Sequence, residues 1–384
     1  MTGTVLAQLA LTVLVYSRTG SPLLAALVFS VGLLPHLIAG TLLSALVVRV
    51  PVRRLLVTCN VVSALLATLM AVPGTPVAGL LTLAFALGLI RPVFLGARAA
   101  TLPEVLPGHG YVPGRSLIRL VAQTAQVVGF AISGILLTTV SPQSLLLGNA
   151  VAFAAAALVL RIGTVERRLS SREPATPSLL KDSLAGFTDV MRVVPLRRVL
   201  VLGWAVSAFA VAPEALAVPY ATSMSVGSLG AGLMLTAIPL GTVVGEVLTN
   251  WLASTSRQIR LIGPSLVLAF APLFWFVARP NIEFALAALF ISGLGAGYHL
   301  GLDRLLLDAA PVELRARALS IQAAGLMFWV GIGFGVAGAT AEFLSPSIVI
   351  SVAATCGILL TAWYAFAAQP SRTPDMIKST EFTT

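Results

Sequence analysis

Charge is what this sequence lacks most. Only 10% of its 384 residues are Asp, Glu, Lys or Arg, against about a quarter in an ordinary soluble domain. So few charges cannot cover the surface of a soluble fold of this length, which excludes a soluble enzyme. Cysteine is nearly absent as well. Cys59 and Cys356 both sit inside apolar runs, so the chain is no disulfide scaffold. The three His and two Cys are too scattered to form a metal site. There is no Gly-x-x-x-x-Gly-Lys-Ser/Thr phosphate loop, no pair of Asp-rich motifs and no His-Glu-x-x-His. ATP hydrolysis, diphosphate chemistry and zinc hydrolysis therefore have no residues to carry them, and no cofactor is implied.

What is present is apolar sequence: 58% of residues are hydrophobic and the mean hydropathy is +0.98. The apolar runs are long and separated by short polar breaks, the pattern of helices that face lipid. Twelve are placed at 2–17, 22–48, 55–73, 77–98, 117–139, 142–160, 199–220, 230–253, 261–279, 282–303, 318–341 and 346–367. Twelve helices of about 20 residues use roughly 240 residues and leave short loops. The expectation is an all-α integral membrane protein. The first run is short and has no basic segment ahead of it, so it reads as a membrane helix and not as a signal peptide.

The formal charge of +10 and pI near 10.7 have a topological explanation. With the N-terminus inside, outer loops hold only Arg18 and Arg279 of the 24 basic residues, and Arg91 lies at membrane depth. The other basic residues all fall in inner loops or at inner helix ends, from Arg49 to Lys378. The positive-inside rule thus places both termini in the cytoplasm and leaves no reason to invoke a nucleic-acid partner.

The longest polar stretch, 161–198, divides the chain into helical segments 1–160 and 199–367, with a polar tail at 368–384. Within it, Leu179, Leu180, Leu184, Phe187, Val190 and Met191 recur at helical spacing, as in an amphipathic helix on the cytoplasmic face. The two sides repeat. Gly40-Thr41-Leu42-Leu43-Ser44 resembles Gly241-Thr242-Val243-Val244-Gly245, and Phe85, Gly88, Leu89 and Gly96 align with Phe290, Gly293, Leu294 and Gly301. Six helices, a linker and six more in the same order form a parallel repeat about an axis along the membrane normal.

These features resemble the major facilitator superfamily, and within it the bacterial twelve-helix exporters. Gly40, Ser44, Arg49, Arg53 and Arg54 match the family's signature between helices 2 and 3, with Val48 in place of the usual aspartate. The segment 129–134 is similar to the exporter signature of helix 5, with Phe130 in place of its proline. The resemblance implies two six-helix bundles working by alternating access on a small molecule, with protons as the coupling ion and the chain acting as a monomer. It also implies a cytoplasmic gate at Gly40, Ser44, Arg49, Arg53 and Arg54, joined by Asp303 and Arg304.

Ionisable groups inside membrane helices are costly, and each is a functional candidate. Glu214, between Pro213 and Pro219 in helix 7, is either a proton or substrate site or a solvated interfacial acid. Glu246 in helix 8 is either a latch, pairing with Arg257, Arg260 or Arg49, or the proton carrier. Arg91 is an anion or carboxylate partner, or a snorkelling cation. His36 and His299 are hydrogen-bonded bundle residues or titrating cavity groups. Gln123, Gln126, Trp204, Ser207, Gln322 and Trp329 lie on helices that line the cavity in this superfamily, and each also suits a plain helix–helix hydrogen bond. A cavity this poor in charge suits a hydrophobic or amphipathic compound. Proton-coupled efflux of such a compound is the expectation. The alternatives are an importer or facilitator of an amphipathic metabolite, or a sensor or scaffold that keeps the fold without transport.

Overall fold

In a lipid environment each backbone N–H and C=O must find a partner inside the protein, and a helix achieves this within its own segment. The structure is a computed structural model that describes residues 2–35, 51–105, 111–163, 187–252, 255–311 and 314–367. Those residues are helical almost throughout. The first six rods are α1 (Thr2–Thr19), α2 (Pro22–Leu33), α3 (Val52–Ala71), α4 (Val77–Val105), α5 (Tyr111–Leu136) and α6 (Pro142–Gly163). The last six are α7 (Val194–Ser223), α8 (Gly227–Leu252), α9 (Ile262–Ala278), α10 (Ile282–Ala309), α11 (Arg315–Thr340) and α12 (Pro346–Ala367). Eight of the described helices are long and apolar enough to cross a membrane, and shorter apolar helices accompany them.

Three rods of the second set depart from a regular α-helix. α7 is interrupted at Val211 and Leu216, leaving the segments Val194–Ala210, Ala212–Ala215 and Ala217–Ser223. Pro213 and Pro219 explain the interruptions, since their rings remove the donors that would serve the carbonyls of Phe209 and Ala215. α9 passes into a 3₁₀ helix at Ala271–Ala278, with Pro272 at its start. α10 has one 3₁₀ turn at Gly295–Gly297. The run placed at 199–220, with prolines inside it, is such a broken rod and spans Val194–Ser223. The expected helix at 77–98 extends to Val105, and the one at 117–139 begins and ends earlier, at Tyr111 and Leu136.

Within the first set, α1 packs on α5 and α6, α3 on α4 and α6, and α2 on α1 and α4. In the second, α8 packs on α10, α7 on α10, α11 and α12, and α9 on α10 and α12. Glycine sets the closest crossings. A Cβ on Gly88 of α4 would lie 2.9 Å from the Gly32 carbonyl oxygen of α2. A Cβ on Gly293 of α10 would lie 2.4 Å from the Ile238 carbonyl oxygen of α8. These two glycines are the pair aligned across the sequence repeat, and they make like crossings in the two sets.

The sets meet along two seams, α2 against α11 and α5 against α8. In the first seam the rings of Phe29 and Phe334 stack with centroids 4.9 Å apart, and the Ser30 hydroxyl donates to the Gly331 carbonyl. In the second, Gly134 and Gly232 bring two backbones together, a Cβ on Gly232 falling 2.5 Å from the Gly134 Cα. Both contacts lie toward the face that carries residues 20–21. Away from the seams, Val151, Val159 and Ile162 of α6 and Leu65 of α3 are well exposed. In water such a surface would be an aggregation hazard, and in a bilayer it is the lipid face.

On the opposite face Arg53 donates to the Arg161 carbonyl, bridging the start of α3 to the end of α6. A cation there complements the partial negative charge of a helix C-terminus. Of the expected amphipathic helix only 187–194 lies in the described residues, and 187–192 is helical. Val190 is fully buried, and Asp189 lies 3.9 Å from Arg317 of α11.

If backbone contact fixes the crossings, Gly293→Leu should lower the unfolding midpoint of the purified protein by several degrees, because overpacking costs about 1–3 kcal/mol. Gly148→Leu, at a position with open space around its Cβ, should leave the midpoint nearly unchanged. Thermal denaturation in detergent distinguishes the two.

Candidate functional site

The break in α7 lies where the two sets meet. The four-residue segment Ala212–Ala215 packs against α11 and α12 and also touches α2 and α8. It carries Glu214, which is partly buried while Pro213 and Ala215 on either side are buried. Among the described residues no hydrogen bond or ion pair engages the Glu214 carboxylate. The segment that carries it touches elements of both six-helix sets.

Below the break, α7 and α11 form a polar seam. The Trp204 indole N–H donates to the Gln322 carbonyl at 3.2 Å. A Cβ on Gly325 would come 2.3 Å from the Trp204 ring, so the glycine makes room for the indole. The Ser207 hydroxyl donates to the Gly203 carbonyl at 2.8 Å, and the Tyr298 side chain of α10 lies beside Ser207. The Tyr298 and His299 rings lie 4.2 Å apart. Gln322 Oε1 is buried and has no hydrogen-bond partner among the described residues. Trp204, Ser207 and Gln322 are thus brought together with His299 close by, and Tyr298 joins them. Sequence reasoning passed over Tyr298. Its signal was its place directly after the Gly295–Gly297 turn, where the helix changes pitch.

A second contact crosses the α5–α8 seam, with the Gln123 amide donating to Glu246 Oε2 at 3.5 Å. Gln126, one turn further along α5, is partly buried. The remaining candidates stand apart. Arg91 is exposed on α4, and no described hydrogen bond or ion pair joins it to Glu214. Trp329 is 39% exposed, edge-on to Phe328. Asp303 and Arg304 are exposed on α10, and Arg54 is exposed on α3. Arg53 binds the α6 carbonyl described above. His36, Gly40, Ser44 and Arg49 lie outside the described residues.

Comparisons with known proteins place the whole chain in one context. A family model described as Major Facilitator Superfamily matches residues 1–297. The chain is 27% identical over 386 aligned residues to the uncharacterized MFS-type transporter y4rN of Sinorhizobium fredii, covering 95% of this chain and 91% of that protein. Among solved structures it resembles the nucleoside transporter NupG, with a TM-score of 0.72, 14% identity, and 94% and 96% of the two chains covered. It also resembles a bacterial homologue of the lysosomal transporter Spinster in an inward-facing, unoccupied conformation, with a TM-score of 0.70, 13% identity, and 96% and 93% covered. A POT family transporter aligns with a TM-score of 0.71 and 12% identity over 95% and 93% of the chains. At these identities the structural likenesses establish a shared fold.

An unpaired buried acceptor costs about 1–3 kcal/mol. Gln322→Met, which fills a similar volume without that oxygen, should therefore hold or raise the thermal unfolding midpoint. A clear fall in the midpoint would show that Oε1 is satisfied in the folded protein.

Proposed function

The chain belongs to the major facilitator superfamily of membrane transporters, and on that premise we propose that it exports a small hydrophobic or amphipathic compound in exchange for protons. The observation that carries the proposal is Glu214: a partly buried carboxylate at a break in α7, in contact range of both six-helix sets and without a described partner.

In this reading the two sets rock about a central site between them. The α2–α11 and α5–α8 seams close the face of residues 20–21, which is the outer face when the basic residues mark the cytoplasm. When those seams part, Glu214 meets the outer aqueous phase and loads a proton. When they close again, it faces a cavity open to the cytoplasm and releases the proton there. Glu246 bridged to Gln123 acts as a latch between α5 and α8. The polar seam of Trp204, Ser207 and Gln322, set in apolar surroundings, orients an amphipathic cargo through few hydrogen bonds. The likeness of segment 129–134 to the exporter signature supports the outward direction. The working unit is a monomer in the bacterial inner membrane, with both termini cytoplasmic.

The test is proton movement in proteoliposomes challenged with lipophilic cations, neutral drugs and organic acids. One class should drive counter-movement of protons, and Glu214→Gln should abolish it in protein of unchanged unfolding midpoint. Proton movement in the same direction as the cargo would establish uptake. Retention of proton movement in both Glu214→Gln and Glu246→Gln would eliminate a carboxylate carrier in α7 or α8.

A further inference from the structure

Beyond the cargo site, the seam between the two sets ends in a contact that involves an acid on a loop. Glu342 lies just after α11, in the turn leading to α12. Its Oε1 accepts a hydrogen bond from the Ser21 hydroxyl and another from the Leu23 backbone N–H at 3.0 Å. Ser21 is the N-cap of α2, and its hydroxyl oxygen accepts from the Leu24 N–H at 3.1 Å.

The first turn of a helix has N–H groups that no carbonyl of the same helix can satisfy. In α2, Pro22 removes one of them by having no N–H. Ser21 takes the Leu24 N–H, as an N-cap residue ordinarily does. The Leu23 N–H is taken by a carboxylate from the other six-helix set. A negative charge at this position also complements the helix dipole. The cap of α2 is therefore completed across the seam, and it is lost whenever α2 and α11 part at this face.

We propose that Glu342 is the positioning residue of this gate. Its carboxylate caps α2 from the opposite half and holds the face of residues 20–21 closed, thereby setting the balance between the two access states. The neighbouring contacts favour closure but do not carry this role. The Phe29–Phe334 stack is apolar packing, and the Ser30 hydroxyl reaches a single backbone carbonyl and is replaced by a thiol in every variant of the test below. The proposal assumes a transporter that alternates between two states, and it is independent of the cargo and of which carboxylate carries the proton.

The test is the alkylation rate of a cysteine placed in the closed seam of the full-length protein in detergent. Ser30→Cys provides the probe, because Ser30 is 1% exposed against α11. Cys356 is replaced by Ser, and buried Cys59, in α3 and outside this seam, serves as the internal control. Because a buried thiol reacts only when the seam opens, its rate follows the open fraction even when that fraction is small. Glu342→Ala should speed alkylation at position 30 about tenfold, the effect of losing hydrogen bonds to a charged acceptor at a partly solvated site. Cys59 should stay slow. Ser21→Ala should give a similar acceleration, and the double variant should exceed neither single variant by much, because both remove the same cap. Glu342→Gln, which keeps an acceptor oxygen, should restore most of the protection.

An unchanged rate at position 30 in Glu342→Ala would overturn the proposal. So would equal acceleration at Cys59, which would reveal general loosening. Fully additive effects of Ser21→Ala and Glu342→Ala would show that the two residues act separately and would overturn it too. A failure of the Glu214 variants to alter proton movement would leave every one of these outcomes readable.

Discussion

The internal satisfaction of backbone hydrogen bonds is the constraint on which this structure depends. In a bilayer an unpaired N–H or C=O costs several kcal/mol, so the chain is helical nearly everywhere it is described. Its departures from helix are therefore informative. The carbonyls of Phe209 and Ala215 lose their usual donors to Pro213 and Pro219, and they do so at the junction of the two six-helix sets and not on the lipid face. Irregular backbone at membrane depth is tolerated where protein or a water-filled cavity surrounds it. The same place holds Glu214, so one local defect provides both the irregular backbone and the acid.

Close packing follows from the same solvent. Lipid tails are as apolar as the side chains, so helices gain little from hiding leucine from lipid and rely on close approach instead. This is why the tightest contacts are glycine against backbone: Gly88 on Gly32, Gly293 on α8, Gly134 on Gly232. The first two lie within the sets. The third lies between the sets, where a flat backbone contact can part without disentangling long side chains. The seam between the sets and the crossings within them are thus built from the same small residue in different company.

Much of this was legible in the sequence. Scarce charge and long apolar runs gave the membrane class, and Gly88 and Gly293, matched by their spacing across the repeat, make like crossings in the structure. Pro213 and Pro219 marked α7 as irregular. What escaped was set by contacts between segments far apart in the chain. Trp204 and Gln322 were each singled out, but their meeting depends on Gly325 clearing space for the indole, which no local pattern reveals. Glu342 was not singled out, because its contact is with the start of α2, 319 positions away at Leu23. Tyr298 was hidden by its apolar character, since only its hydroxyl distinguishes it from a packing residue.

The distribution of acids between the sets gives the structure a direction. The described membrane rods of the first set carry no acid at depth, whereas the second set carries Glu214 and Glu246 and, just beyond α11, Glu342. Each of the three sits where the second set meets the first: Glu214 beside α2, Glu246 with Gln123 of α5, Glu342 on the start of α2. A carboxylate buried within one rigid bundle would keep the same surroundings in both access states, and a ligand or proton bound there could not bias the balance between them. Under alternating access, a carboxylate on a seam between the sets would change its solvation and its partners, which is the differential interaction that coupling requires. The acids are few because each is costly in a membrane, and a junction between the sets is where that cost would differ between two access states.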